Sequence, residues 1–156
     1  GHISEDPVNR IQMMDKRQTK VEQMLSLIPK DDQAVAYGKL DICIVSWGSP
    51  KGPILDAIEM HRNEGHEIGF IDIKLLHPFP TNYIKSMLKD SSIIIDIEAN
   101  MTGQLASLIR ENLLRDPDYY VLKYTGRPMT CIEIFDSLKK ILEKKSEKKQ
   151  VLTYGD

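Results

Sequence analysis

The sequence predicts an α/β domain built on a three-layer open sheet of about five strands, mostly parallel, with a long amphipathic helix ahead of it. Three observations predict it. β-Rich runs alternate with helical apolar patterns from Asp41 to Leu142, and short connections between such units build a mainly parallel sheet with helices on both faces. The run Asp41-Ile-Cys-Ile-Val-Ser-Trp47 is nearly continuous in apolar residues, as in a strand covered on both sides. The earlier strand-like run Ala34–Tyr37 reaches it across a link far shorter than the roughly dozen residues of a parallel crossover. If it joins the sheet beside its successor, it must run antiparallel.

The elements follow in order. Asp6-Pro7 starts a helix, with Asp6 as N-cap and Pro7 in the first turn. Ile11, Met14, Val21, Leu25 and Ile28 form a narrow apolar stripe on it, and the helix ends by Pro29. Such a stripe lies against another domain or subunit or packs on its own domain, and parts of this helix are expected to pack loosely or against another copy of the chain. After the strand at 41–47, Ile54, Leu55 and Ile58 mark a helix stopping near Gly65. Ile68 to Ile73 is a strand, Pro80 to Leu88 a helix, Ile93 to Ile97 a strand, Gly103 to Leu114 a helix and Tyr119 to Tyr124 a strand. Thr130-Cys-Ile-Glu133 is a capping box that opens a last helix, with Phe135, Leu138 and Leu142 on one face. The run Glu143 to Lys149 reads as a solvated, fraying helix end. The expected partition is a linker helix at 1–32, the α/β domain at 33–145 and a charged tail at 146–156.

Composition narrows the function. With 21 Lys and Arg against 23 Asp and Glu, the net charge of −2 supplies no field for nucleic acid or acidic membranes. No apolar run approaches the roughly 20 residues of a membrane span. The 2 cysteines, Cys43 and Cys131, lie far apart, against a zinc or iron–sulfur site and in keeping with a reducing, cytoplasmic setting. The chain does not begin with Met, so Gly1-His2 is either a cloning remnant or the start of a piece cut from a longer protein.

Ligands of open α/β sheets bind beyond the carboxyl ends of the strands. Two loops fall there. One is Trp47-Gly48-Ser49-Pro50-Lys51-Gly52-Pro53; the other is Glu98-Ala99-Asn100-Met101-Thr102-Gly103-Gln104. Glycines permit positive φ, and helix starts offer free N–H groups, so Gly48, Ser49, Lys51, Gly52, Glu98, Asn100, Thr102, Gly103 and Gln104 are candidate interface or anion-binding residues. Equally, Ser49 and Thr102 can be plain N-caps and the glycines plain turns. Glu98, just past an isoleucine-rich strand, either bonds the following helix start or is reserved for a partner. Neither loop carries a dinucleotide or P-loop fingerprint. His2, His61, His66 and His77 show no metal-ligand spacing, His77-Pro78-Phe79-Pro80 is a rigid turn, and Cys131 merely opens a helix. No catalytic, cofactor-binding or metal residue can be assigned. Asp96 is polar for a central strand and puts that strand's burial in question.

Taken together, Glu5-Asp6-Pro7-x-Asn9-Arg10, Trp47-Gly48-Ser49-x-Lys51-Gly52-Pro53-Ile54, Pro78-Phe79-Pro80, Glu98-x-Asn100-x-x-Gly103-Gln104-Leu105 and Lys123-Tyr124-x-Gly126-Arg127-Pro128 resemble the C-terminal part of the α subunit of 2-oxoacid:ferredoxin oxidoreductases, the pyruvate and 2-oxoglutarate enzymes. The resemblance runs from Ser4 to Leu142. It implies a five-stranded mixed sheet like the transketolase C-terminal domain, with one antiparallel strand. It implies a holoenzyme that decarboxylates a 2-oxoacid oxidatively with coenzyme A, giving acyl-CoA and reduced ferredoxin. Thiamine diphosphate, magnesium and iron–sulfur clusters carry that chemistry in other parts of the holoenzyme, since this chain shows neither a magnesium-diphosphate motif nor a cysteine cluster. The implied partners are the remaining α-subunit domains and the β subunit, with no nucleic acid and no membrane.

The leading reading is therefore a non-catalytic assembly domain of an oxidoreductase α subunit. Two others compete: a free-standing flavodoxin-like binding module, and a small enzyme holding a phosphorylated ligand or coenzyme A at the strand carboxyl edge.

Overall fold

The computed structural model describes residues 2–153; Gly1, half of the suspected remnant, and the last three residues of the tail lie outside them. In chain order the elements are α1 (Pro7–Leu27), α2 (Lys30–Gln33), β1 (Ala34–Tyr37), β2 (Ile42–Ser46), α3 (Lys51–Asn63), β3 (Gly69–Ile73), α4 (Thr81–Met87), β4 (Ile93–Glu98), α5 (Gln104–Leu113), β5 (Tyr119–Leu122), α6 (Cys131–Leu142) and β6 (Lys149–Val151). They form a 6-stranded sheet in the order β1-β3-β2-β4-β5-β6, parallel except for β1.

Strand alternation sorts the core into two layers. Ile44, Phe70, Ile95, Ile97 and Val121 point toward α3 and α6, where they meet Ile54, Ile58, Ile134, Leu138 and Ile141. Cys43, Val45, Ile71, Ile73 and Ile94 point the other way, toward Ile84 of α4 and Leu105 and Ile109 of α5. Asp96 and Glu98 share this second face, and both are fully buried, so β4 is a central strand despite its acids.

One expectation needs correction, and other details go beyond the sequence. β1 is antiparallel, but it pairs with β3, not with its successor β2. Its short link crosses the start of β3, where a Cβ on Gly69 would collide with the Lys39 carbonyl; only glycine leaves room. The charged run is no helix end: α6 stops at Leu142, Lys144 turns with φ 57°, and Lys149–Val151 forms a sixth strand on β5. The sheet thus runs on past residue 145. A one-turn helix, α2, also intervenes before β1.

The stripe on α1 divides in two. Val21, Leu25 and Ile28 are half-buried, and Val21 and Leu25 lie over Phe79 and Leu108. The side-chain amide of Gln33 donates to the carbonyls of Leu25 (2.9 Å) and Ile28 (2.8 Å), pinning the end of α1 to the edge of the sheet. Toward the N-terminus, Ile11 is 61% and Met14 45% exposed, and no residue of α1 is fully buried.

Candidate functional site

From β2 the chain turns through α3 to β3 on one side; from β4 it turns through α5 to β5 on the other. Helices α3 and α5 cover opposite faces. The loops leaving β2 and β4 therefore part, and such a divergence leaves a crevice at the strand ends. Trp47, Gly48, Ser49 and Pro50 line one side of it and Ala99, Asn100 and Gln104 the other, around about 280 Å³. A second hollow of about 500 Å³ adjoins it, sharing Ser49 and Ala99 and continuing along Lys123, Tyr124, Gly126, Arg127 and Pro128.

Glu98 organises the crevice from below. Its Oε2 accepts from the Trp47 indole Nε1 (2.9 Å) and the Asn100 amide (2.7 Å). Its Oε1 accepts from the backbone N–H groups of Leu105 (2.9 Å) and Ala106 (3.2 Å), in the first turn of α5. A buried carboxylate at a helix start is stabilised by free amides and by the helix dipole without any cation. Asn100 in turn accepts from the amides of Thr102 (3.1 Å) and Gly103 (2.8 Å), and Gly103 takes φ 67° to enter the helix. Of the two roles open to Glu98, the structure shows the first: its oxygens are spent on its own chain.

The other candidates separate. Gly48, Ser49, Asn100 and Gln104 meet at the crevice. Lys51 does not join them: its ammonium lies 2.8 Å from Asp72 and over the Tyr37 ring, and the hydrogen bond to Asp72 raises its pKa. Gly52 sits in the first turn of α3 with open space around it. Neither Ser49 nor Thr102 caps a helix; Pro50 and Gly103 occupy those positions without side-chain caps. His77 is exposed and faces the groove under α1.

Three side chains take places at or near the strand ends that residue type alone did not assign. Trp47, the sole tryptophan, links the β2 loop to Glu98. Lys123, 2% exposed, donates to Glu133 (2.7 Å) and to the Pro128 carbonyl (2.8 Å), and so holds the wall of the second hollow. Asp96 has no hydrogen-bond partner for either buried oxygen; burial first, and then the charge of Glu98, push its pKa up to about 9. A lone acid inside a run of isoleucines was the available signal for Asp96. For Lys123 the signal was its place at a strand end, opening the Lys123-Tyr124-x-Gly126-Arg127-Pro128 motif.

Metal-binding chemistry does not suit these groups. Glu98 is saturated, burial raises the pKa of Asp96, and among the described residues no group of three or more His, Cys, Asp or Glu converges. Burial pushes the Cys43 thiol up to about 12.

Comparison with known proteins agrees with the fold. The profile of pyruvate:ferredoxin oxidoreductase core domain II matches residues 40–134. Subunit alpha of 2-oxoacid:ferredoxin oxidoreductase 2 from Aeropyrum pernix is 39% identical over 99% of this chain, which covers 24% of that protein. The corresponding subunit alpha from Saccharolobus solfataricus is 38% identical, again over 99% of this chain and 25% of that protein. Among solved structures, 2-oxoglutarate:ferredoxin oxidoreductase from Magnetococcus marinus, with 2-oxoglutarate, coenzyme A and succinyl-CoA bound, superposes with a TM-score of 0.77 at 26% identity, over 90% of this chain and 24% of that one. The alpha chain of a probable 2-oxoacid ferredoxin oxidoreductase from Thermoplasma acidophilum is 42% identical with a TM-score of 0.51, over 72% of this chain and 98% of that one. A split-gene transketolase shares the fold, with a TM-score of 0.57 over 74% of this chain and 43% of that one, at 20% identity. The chain spans about a quarter of the length of the curated relatives it matches. The profile match runs over more than half of its residues and both curated relatives are 2-oxoacid:ferredoxin oxidoreductase α subunits, so the chain belongs to the pyruvate:ferredoxin oxidoreductase core domain II family.

Proposed function

We propose that this chain is the core-domain-II part of the α subunit of a cytoplasmic 2-oxoacid:ferredoxin oxidoreductase, and that its task is assembly, not chemistry. The holoenzyme would oxidise a 2-oxoacid with coenzyme A to acyl-CoA and carbon dioxide and pass the electrons to ferredoxin. The observation that carries the reading is the character of the crevice: its charged groups are satisfied internally, while Ser49, Ala99 and Gln104 present an uncharged rim to whatever docks there. A rim of that kind suits a neighbouring protein surface better than an ionic substrate. The partners are the other α-subunit domains and the β subunit. In the same reading α1, with residues 1–32, is a linker that runs along the domain at 33–145.

In this reading thiamine diphosphate, magnesium and iron–sulfur clusters are held by other parts of the assembly. Free cysteines and the absence of a membrane-length apolar helix among the described residues are in keeping with a cytoplasmic location. The test is reconstitution. Ser49→Arg and Gln104→Arg place bulk and charge on the rim without touching the Glu98 bonds, and each is expected to abolish co-purification with the remaining subunits while the far-ultraviolet dichroism of the chain is unchanged. Unimpaired assembly overturns the reading.

One observation favours a second reading. Exposed Tyr124 and Arg127 flank the second hollow, and an aromatic face beside a guanidinium can hold a phosphorylated nucleotide such as coenzyme A. Calorimetric titration with coenzyme A decides between the two, since the assembly reading predicts no binding to the isolated chain.

A further inference from the structure

We propose that Asp96 is a neutral, proton-bearing positioning residue for Glu98, and that loss of its proton unlatches the crevice. The two side chains project from the same face of β4, two residues apart, and both are 0% exposed. Glu98 is surrounded by donors from Trp47, Asn100 and α5. No N–H group is directed at Asp96 and among the described residues no cation lies against it; the polar side chain that bears on it is Glu98 itself. Two carboxylates cannot both ionise in one buried site without a counter-ion. Glu98, with the helix N-terminus and several N–H groups directed at it, is the one that keeps the charge; Asp96 keeps the proton.

The elements packed around Asp96 offer no other relief. Val45 of β2 lies opposite it, with the neutral, buried thiol of Cys43 two residues back on the same face. On β5 its partner in register is Tyr120, whose hydroxyl is taken by Asp116 and Arg110. On α5 the nearest element of the helix start is Gly103, where an added Cβ would lie 3.7 Å from Asp96 Oδ2; the guanidinium of Arg110 is committed to Asp116 and Tyr120. When the Asp96 proton leaves for solvent, the new charge faces only the Glu98 carboxylate and the first turn of α5. Relief comes if Glu98 releases Trp47 or the α5 amides, and either release moves a wall of the crevice.

The single indole makes the latch observable in the intact 156-residue chain. The probes are the Trp47 indole N–H resonance and the exchange protection of the Leu105 and Ala106 amides, followed from pH 6 to 10. The wild type should show a shift of the indole resonance and a ~10-fold or greater loss of protection with a midpoint near pH 9. Asp96→Asn, which carries hydrogen-bond donors that do not titrate, should abolish both; tyrosine ionisation is common to the two proteins and cancels in the comparison. A flat wild-type profile, or the same transition in Asp96→Asn, overturns the proposal. If the variant fails to fold, the carboxyl carbon shift of Asp96 in 13C-Asp-labelled wild type decides alone: a shift already that of a carboxylate at pH 7 overturns it, and titration near pH 9 supports it.

Discussion

The ends of β4 and β5 each bury a charge and neutralise it by opposite means. Glu98, at the end of β4, is held by an indole, an amide side chain and the first turn of a helix. Lys123, one residue past β5, is held by a counter-ion, Glu133, which also completes the capping box of α6. The first arrangement spreads one charge over dipoles from two loops, and any single donor contributes a fraction. The second concentrates the interaction in one partner, and removing either member leaves a buried charge alone. A dipole-held carboxylate can therefore tolerate adjustment of its loops, which suits a crevice; an ion-paired ammonium fixes its loop rigidly.

The largest expected effect tests the second arrangement. Lys123→Met should cost about 3–5 kcal/mol in urea unfolding, because it strands Glu133 and frees the Pro128 carbonyl. Adding Glu133→Gln, which keeps an acceptor for Thr130, should recover part of the loss. Glu98→Gln should cost less, about 2–3 kcal/mol, since the amide oxygen still serves one set of donors while its NH2 confronts the other. If Glu98→Gln proves the more damaging, the contrast between spread and concentrated charge fails.

The two ends should also respond to pH in opposite directions. Burial alone would raise the pKa of Glu133, but the hydrogen bonds from Lys123 and Thr130 outweigh it and hold the pKa below the usual carboxylate range. Its contribution is present above the unfolded value near 4.5 and disappears as pH falls through the folded one. For Asp96 the folded pKa is raised from 3.8 to about 9, so its contribution is complete at acid pH and declines as pH rises across that window. Stability curves of Glu133→Gln should lose slope on the acid side, below the unfolded value near 4.5, and those of Asp96→Asn between the unfolded 3.8 and the folded value of about 9, each slope bounded by about 1.4 kcal/mol per pH unit. The smallest effect is Asn100→Ala, about 1 kcal/mol, with faster amide exchange confined to Thr102 and Gly103.

Much of the fold could be read from pattern. The switch from a period of two to a period near four placed β2 through α6 within a residue or two, and the short link before β2 announced an antiparallel strand. Two features resisted. The strand β6 is Lys-Gln-Val in a lysine-rich run, and pairing along β5 decides its conformation, not its own composition. The place of β1 beside β3 depends on a backbone crossing that leaves only a glycine as its trace. At the site, glycines and short polar residues located both loops correctly, but residue type does not say which way a side chain turns. Lys51 read as a candidate interface charge and is spent on Asp72, whereas Glu98 had two roles open and takes the one within its own chain.

The crossing at Gly69 has a consequence for how the chain can vary. The link at residues 38–41 laces over the first residue of β3, so β1 and β2 pair with its two edges from either end of that crossing. Any side chain at Gly69 would lift the lace and, with it, the edge strand and the Gln33 bonds that anchor α1. That one atom-sized vacancy thus ties the aim of the N-terminal helix to the sheet. Lengthening the link, elsewhere a harmless edit to a surface loop, would here alter the direction in which the helix leaves the domain.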